Sequence, residues 1–413
     1  METKEGKLYI AGIKAEELTK EFGSPLYVYD DQVIVDNYEK LVKAIPYKNL
    51  KMLYACKANT NAVIMKKLRD LGLGLDVVSV GELKLALKLG FKPEDILFTA
   101  TAVTDDELKE AIAAKVTVNM DSLSEMERYG KLNPGAKVSV RINPEFGAGF
   151  HGHVVTGGPD SKFGIYHDKV GQIQKIATRH KLTVIGVHMH VGSRYLNPDQ
   201  FYKAMDILLQ TASQFEDLEF VDFGGGIGVV YGPDEKMFDL KEYGAKVSEI
   251  FSGFCKKYGK DLTMMFENGR YFVAEAGVFL MTVNTLKETP KYKFAAVDTG
   301  MHHMMRPALY GAYHEIINAS NTDGKTEEIV VAGNICESTD LFTRDMEGPV
   351  PREISKIKEG DVLALCCAGA YGYTMSSNYN VQPRPAEVLV KSGKASIIRE
   401  RESFEYLIQG QRI

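Results

Sequence analysis

The sequence predicts an α/β protein in two parts, a (β/α)8 barrel and a β domain that follows it. Three observations carry that expectation. From about Ser24 to Gly269, strand-like apolar runs alternate with helical patterns, and repeated βα units imply a parallel sheet. Nine runs read as strands; if Leu26–Tyr29 belongs elsewhere, the remaining eight fill Lys51–Phe266, close to the ~250 residues typical of such a barrel. After about Ala276 the texture changes to short runs divided by Gly, Pro, Asn and Asp, with little helical periodicity. On pattern alone, an open doubly wound sheet competes with the barrel.

Taken in order, Lys7–Ile10 and Leu26–Tyr29 read as N-terminal strands added to the β domain. The barrel strands are expected at Lys51–Ala55, Leu75–Val78, Ile96–Thr99, Val116–Asn119, Lys137–Arg141, Val184–His188, Leu218–Asp222 and Leu262–Phe266. Between them, Leu83, Ala86 and Leu87 form a stripe in Val80–Leu89. Leu240, Tyr243, Val247, Ile250 and Phe254 do the same in Asp239–Tyr258, with Asp239 and Glu242 placed like a capping box and Gly259 as the stop. The β domain is expected to use Val278–Thr285, Phe294–Asp298, Glu328–Ala332, Asp361–Leu365 and Glu387–Val390, with Ser320–Glu328 as a solvated hairpin loop. The barrel is placed at residues 34–275, and residues 1–33 join 276–413 in the β domain.

With 413 residues, 45% hydrophobic and 25% charged, the chain has the composition of a soluble globular protein of two domains. A net charge of −5 without a Lys/Arg block argues against nucleic acid or an anionic membrane as partner. The segment Met1–Lys7 lacks the apolar core of a signal peptide, and no run approaches the ~20 apolar residues of a membrane helix. Five cysteines without a Cys-x-x-Cys pair fit neither a disulfide framework nor a zinc ribbon, so a reducing cytoplasm is expected.

The chemistry gathers around Tyr54-Ala55-Cys56-Lys57-Ala58-Asn59, at the end of a buried strand. Burial favours a neutral amine, which can attack a carbonyl and form a Schiff base. For this stretch alone, a solvated lysine at a strand end is the alternative. Phe223-Gly224-Gly225-Gly226-Ile227-Gly228 also follows a strand; it suits an anion such as phosphate, or is a plain tight turn, and it does not fit the dinucleotide spacing. His188-Met189-His190-Val191-Gly192-Ser193 carries two histidines that would point the same way. No third ligand stands at a recognisable spacing, so no metal is expected, and an imidazole stacked on an aromatic ligand is as sensible. Glu267-Asn268-Gly269-Arg270 closes the last barrel strand, where barrel active sites lie, although an acid beside an arginine is most often an ion pair. Cys336-Glu337-Ser338-Thr339-Asp340 and Gly369-Ala370-Tyr371-Gly372 are weak signals taken singly.

Together these stretches are much more specific. Combined with Asp76-Val77-Val78-Ser79, Gly81-Glu82 and Met305-Arg306-Pro307-Ala308-Leu309-Tyr310, they occur in the order found in the fold-type III pyridoxal phosphate (PLP) decarboxylases, which the chain resembles over nearly its full length. Asn143–Ile165, with Thr156-Gly157-Gly158 and Ser161-Lys162-Phe163-Gly164, and the tail Met375-Ser376-Ser377-Asn378-Tyr379-Asn380 resemble the diaminopimelate branch rather than the ornithine or arginine branches.

That resemblance implies an alanine-racemase-like (β/α)8 barrel with a C-terminal β domain completed by N-terminal strands. It implies PLP in Schiff-base linkage to Lys57, with His190 against the ring and Glu267 facing the pyridine nitrogen. Ser193, Gly225, Gly226, Gly269, Arg270 and Tyr371 would surround the phosphate end. Substrate groups would fall to Arg270, Arg306, Tyr310, Glu337 and Tyr371, with Cys336 as proton donor. The implied reaction is decarboxylation of meso-2,6-diaminopimelate to L-lysine, the last step of lysine biosynthesis, in a homodimer whose Cys336-Glu337 segment reaches the partner's cofactor. Decarboxylation of another diamino acid or a carboxylated polyamine is the alternative within the fold, and a non-catalytic PLP-binding regulator the alternative outside it. Three positions depart from the commonest family pattern: Asn268 stands for proline, Thr339 for glycine, and Arg194 follows Gly-Ser. Asn268 is expected to alter turn rigidity, and Thr339 to add bulk beside the substrate segment.

Overall fold

The computed structural model describes residues 1–145, 158 and 160–412. Thr156 and Gly157 of the branch motif lie outside the described residues. The chain divides into two compact units. One comprises Tyr38–Val229 and Lys236–Tyr271; the other comprises Met1–Asn37, Val230–Glu235 and Phe272–Ile413.

In the first unit, eight parallel strands stand in sequence order: Leu50–Ala55, Gly74–Val77, Ile96–Phe98, Thr117–Met120, Lys137–Asn143, Thr183–His188, Phe220–Asp222 and Thr263–Asn268. The last pairs with the first, Met264 opposite Leu50 through Asn268 opposite Tyr54, so the ring closes and the open sheet is excluded. The expected strands are met to within one or two residues at most ends; Phe220–Asp222 is the shortest relative to expectation. Ile165–Tyr166 adds a short parallel edge to Lys137–Asn143.

Closure buries both faces of the strands, which is why they read as continuous apolar runs. Leu53, Leu97, Ile185, Phe220 and Met265 pack as one buried cluster. Gly186 is required there, because a Cβ would lie 2.2 Å from the Phe220 ring. Several of the intervening helices are capped by side chains. Asn61 Oδ1 accepts the Val63 N–H at the start of Ala62–Asp70, and Ser79 caps Val80–Lys88. Asp239 caps Leu240–Tyr258 by accepting from both Lys241 and Glu242, and the reciprocal capping box forms instead at Thr104 and Glu107.

In the second unit a seven-strand path runs Arg352–Ser355, Thr326–Ala332, Lys293–Val297, Gly277–Glu288, Leu26–Asp30, Ala386–Lys391 and Lys394–Arg399. Val362–Leu365 pairs with Gly277–Glu288 and with Ile316–Asn318. Leu26–Asp30 therefore lies inside this sheet, between an antiparallel and a parallel neighbour, as an N-terminal strand completing the β domain. Its Leu26 and Val28 pack with Val278, Leu280, Ala364 and Val388. Its Tyr29 hydroxyl donates to the buried Glu387 carboxylate, which also receives Arg399.

One expectation is refined and one corrected. Lys7–Ile10 belongs to the β unit as expected, with Leu8 and Ile10 packed in the core of Leu26 and Val28, but it pairs with Glu2–Lys4 and Ile13–Lys14 in a small meander rather than within the seven-strand path. Ser320–Glu328 is not a hairpin loop, because the strands it connects pair elsewhere.

Candidate active site

The first strand ends at Ala55 and turns through one 3-10 turn, Cys56–Ala58. This turn carries Lys57, whose side chain is 38% exposed rather than buried as the sequence suggested. Its Nζ instead lies 3.1 Å from Oδ2 of the fully buried Asp76 on the neighbouring strand. The Thr99 hydroxyl donates to the other Asp76 oxygen. Burial raises the Asp76 carboxyl, Glu267 raises it further, and the Lys57 charge only partly offsets them. Asp76 is thus the buried partner that holds the Lys57 amine in place.

Glu267, at the end of the last strand, is 2.9 Å from His188 Nε2, and both are buried. Burial would raise Glu267, but the charge and hydrogen bond of His188, with Lys57 and Arg141, outweigh it and hold the carboxyl below its ordinary range. Asp222 is the contrasting case: burial first, then Glu267, push its carboxyl well above the ordinary range. The same buried setting thus moves the two carboxyls in opposite directions, Glu267 down and Asp222 up. Glu267 Oε1 is buried and has no hydrogen-bond partner among the described residues, a condition that costs about 1–3 kcal/mol or more.

The two histidines have different hydrogen-bond partners. His188 meets Glu267, whereas His190 Nδ1 accepts the Gly225 N–H at 3.2 Å. Burial, with the charges of Lys57 and Arg141, holds His190 well below the usual imidazole range, so its ring is neutral. His188, Asp222 and Glu267 bring donor atoms within 4.8 Å of one another, but Glu267 already uses one oxygen on His188.

The glycine turn is set by close approach. A Cβ on Gly225 would lie 2.0 Å from the Glu267 carbonyl, and one on Gly226 (φ 109°) would lie 2.2 Å from the Gly192 carbonyl. Gly269 likewise lies against the Ala55 carbonyl. Arg270, buried, donates from Nη2 to Ser193 Oγ at 3.1 Å. Lys57, His190, Ser193, Gly225, Gly226, Glu267, Gly269 and Arg270 are therefore all at the C-terminal ends of the barrel strands or in the loops leaving them. A buried cation and hydroxyl beside a glycine turn suit a phosphate, and an ionised buried carboxylate with a spare oxygen suits a protonated ring nitrogen.

The other expected residues belong to the β unit. Cys336 and Glu337 are exposed on one loop, where the Cys336 N–H donates to Asn380 Oδ1 at 2.9 Å. Asp340, buried, accepts from the Ile335 and Met301 N–H groups and pins that loop to the Gly300-Met301 turn. Thr339 contributes more than bulk: its hydroxyl donates to Glu337 Oε1 at 3.2 Å. Arg306 and Tyr310 bound a short helix, Arg306 buried and Tyr310 partly exposed. Tyr371 takes a left-handed φ of 58°. Asn268 lies in the strand itself, buried, with neither side-chain polar atom hydrogen-bonded among the described residues, so it affects the packed strand as well as the turn.

Sequence reasoning assigned no role to Asp76, Arg141, His188 as the partner of Glu267, or Asp222. A signal existed for each, since an ionisable residue inside an apolar strand run is there at a cost that function or pairing must offset.

Residues 32–274 match the model of the pyridoxal-dependent decarboxylase pyridoxal-binding domain, and the chain belongs to the pyridoxal-dependent decarboxylases. A diaminopimelate decarboxylase of Methanothermobacter thermautotrophicus is 44% identical, covering 99% of this chain and 96% of that protein. The fold also matches two solved diaminopimelate decarboxylases in complex with L-lysine. That of M. jannaschii has a TM-score of 0.90 at 35% identity, covering 100% of this chain and 97% of that one. That of Helicobacter pylori has a TM-score of 0.87 at 32% identity, covering 95% and 98%. Within its class, the chain is a member of the diaminopimelate decarboxylase family.

Proposed function

We propose that this protein decarboxylates meso-2,6-diaminopimelate at its D-centre and releases L-lysine, using pyridoxal 5'-phosphate. The observation that carries the reading is the buried His188–Glu267 pair with Glu267 Oε1 left without a donor, at the same end of the barrel as Lys57. A protonated pyridine nitrogen is the group that such an oxygen lacks. When bound, the cofactor supplies an electron sink for the pair left behind as the C–CO2 bond breaks.

The chain's own residues do the rest. Lys57 would hold the cofactor, and Asp76, 3.1 Å from its Nζ, orients the amine. His190, kept towards its neutral form by burial, would lie against the ring of the bound cofactor. Glu267 keeps the pyridine nitrogen charged, because an ionised carboxylate stabilises the protonated form. Arg270, Ser193, Gly225, Gly226, Gly269 and Tyr371 take the phosphate end. Arg306 and Tyr310 hold the distal carboxylate of the substrate and Glu337 its ammonium, the Arg–carboxylate pair being charge-assisted. Cys336 Sγ gives a proton to the carbon that has lost CO2, so one proton replaces one carboxylate.

The barrel is taken as residues 34–275, and residues 1–33 with 276–413 as the β domain. Exposure of Cys336 and Glu337 supports a homodimer in which this loop serves the partner's cofactor. No described helix is long and apolar enough to cross a membrane, and a cytoplasmic location is the one that fits free thiols and a metabolic amino acid. Incubation with meso-diaminopimelate tests the reaction: one CO2 and one L-lysine per substrate are expected, and lysine without CO2, or neither, contradicts it.

A further inference from the structure

We infer that His314 is a positioning residue for the Arg306 guanidinium and, through it, for the carboxylate that substrate and product share. The inference rests on the reading that Arg306 holds this distal carboxylate. Arg306 is only 5% exposed, and its Nε donates to His314 Nε2 at 3.2 Å. On the other side of the ring, His314 Nδ1 lies 2.9 Å from the Cys366 carbonyl oxygen.

The partners decide the tautomer. A carbonyl only accepts, so Nδ1 carries the hydrogen; an arginine only donates, so Nε2 must present its lone pair. One form of imidazole meets both demands, the neutral ring protonated at Nδ1. An imidazolium would be a donor at both nitrogens and would set a second cation against the guanidinium.

The ring is itself fixed. Cys366 N–H donates to the Glu315 carbonyl at 2.8 Å, which anchors the residue whose carbonyl holds Nδ1. Arg352 Nη1 donates to the His314 carbonyl at 2.5 Å. Tyr231 meets the imidazole edge-on, with centroids 5.0 Å apart and planes at 83°, and lies 5.4 Å from the Arg306 Cζ. A long arginine side chain has many rotamers, and ordering it when ligand arrives would weaken binding. A hydrogen bond at Nε sets the plane of the fork beforehand.

Holoenzyme binding of two ligands tests this. L-lysine retains the distal carboxylate, whereas cadaverine has the same chain and amines without it. His314→Leu is expected to weaken L-lysine binding and raise KM for meso-diaminopimelate by roughly ten- to a hundredfold, the worth of a hydrogen bond to a charged group. Cadaverine affinity should not move, and kcat should stay within about threefold. His314→Gln offers Arg306 an acceptor oxygen and should restore most of the affinity. His314→Asn is too short to reach Arg306 and should not, and this pair carries the test if the leucine variant fails to fold. Equal losses in Gln and Asn, or a parallel loss for cadaverine, would overturn the inference in favour of packing alone. Arg306→Leu separates the two claims. If it leaves L-lysine affinity unchanged, the reading of Arg306 fails; if it weakens lysine while His314→Leu does not, that reading stands and the role of His314 falls.

Discussion

Three residue-scale features distinguish this site from an ordinary cluster of buried charges: an amine facing a carboxyl raised by burial, a carboxyl lowered by histidine, and a second carboxyl raised by burial beside it. Lys57→Ala should abolish turnover, and borohydride reduction of the wild-type holoenzyme should fix the pyridoxyl group to the peptide carrying Lys57. Labelling of another lysine would remove Lys57 from its role. Asp222 and Glu267 should answer differently to the loss of charge. Burial and the neighbouring Glu267 push the Asp222 carboxyl up, towards its uncharged form, so Asp222→Asn should keep activity within a few-fold. Glu267→Gln removes a working charge and should lower kcat on the order of 10²-fold or more, as for other electrostatic groups. Equal effects would mean that the two carboxyls share the charge. The sign for stability follows from the same direction. The Glu267 carboxyl is depressed on folding, so its contribution is fully present above the ordinary value of about 4.3 and is lost as pH falls through its lower folded value.

At the scale of elements, the strands were legible because burial on both faces leaves long apolar runs, and the helices because caps such as Asn61 and Asp239 stand beside apolar stripes. Ile316–Asn318, Arg352–Ser355 and Lys394–Arg399 were not legible. They are short or lie at an edge, and Lys394–Arg399 keeps most of its residues at least partly exposed, so its sequence carries no apolar period. The strand end at Asn268 carries a prediction of its own. A buried amide without partners costs about 1–3 kcal/mol per unmet group, more than the small cavity left by its removal. Asn268→Ala should therefore raise the melting temperature of the holoenzyme by a few degrees. A fall would show that the amide finds a partner once the cofactor is bound.

For the whole molecule, the βα pattern alone left an open sheet in competition with the barrel, because the closing pair, Leu50–Ala55 with Thr263–Asn268, joins residues more than two hundred positions apart; motif order decided for the barrel. The gathering of Lys57, His190 and Glu267 at one end of the barrel was legible through motif order, while the partners that tune them were not, since Asp76 and His188 act through geometry that no spacing reveals. Subunit exchange tests the assembly: inactive Lys57→Ala and Cys336→Ala chains, mixed, should regain activity through one intact site in each mixed dimer. No recovery after verified exchange would mean that each chain completes its own site. The measurement that bears most directly on the central claim is CO2 release from meso-diaminopimelate, lysine and ornithine by the unmutated protein and by Arg306→Ala. Stripping a buried arginine of its anion costs roughly 3–5 kcal/mol, so kcat/KM should favour diaminopimelate by at least two powers of ten, and that margin should collapse in Arg306→Ala. Comparable release from lysine or ornithine by the unmutated protein would contradict it.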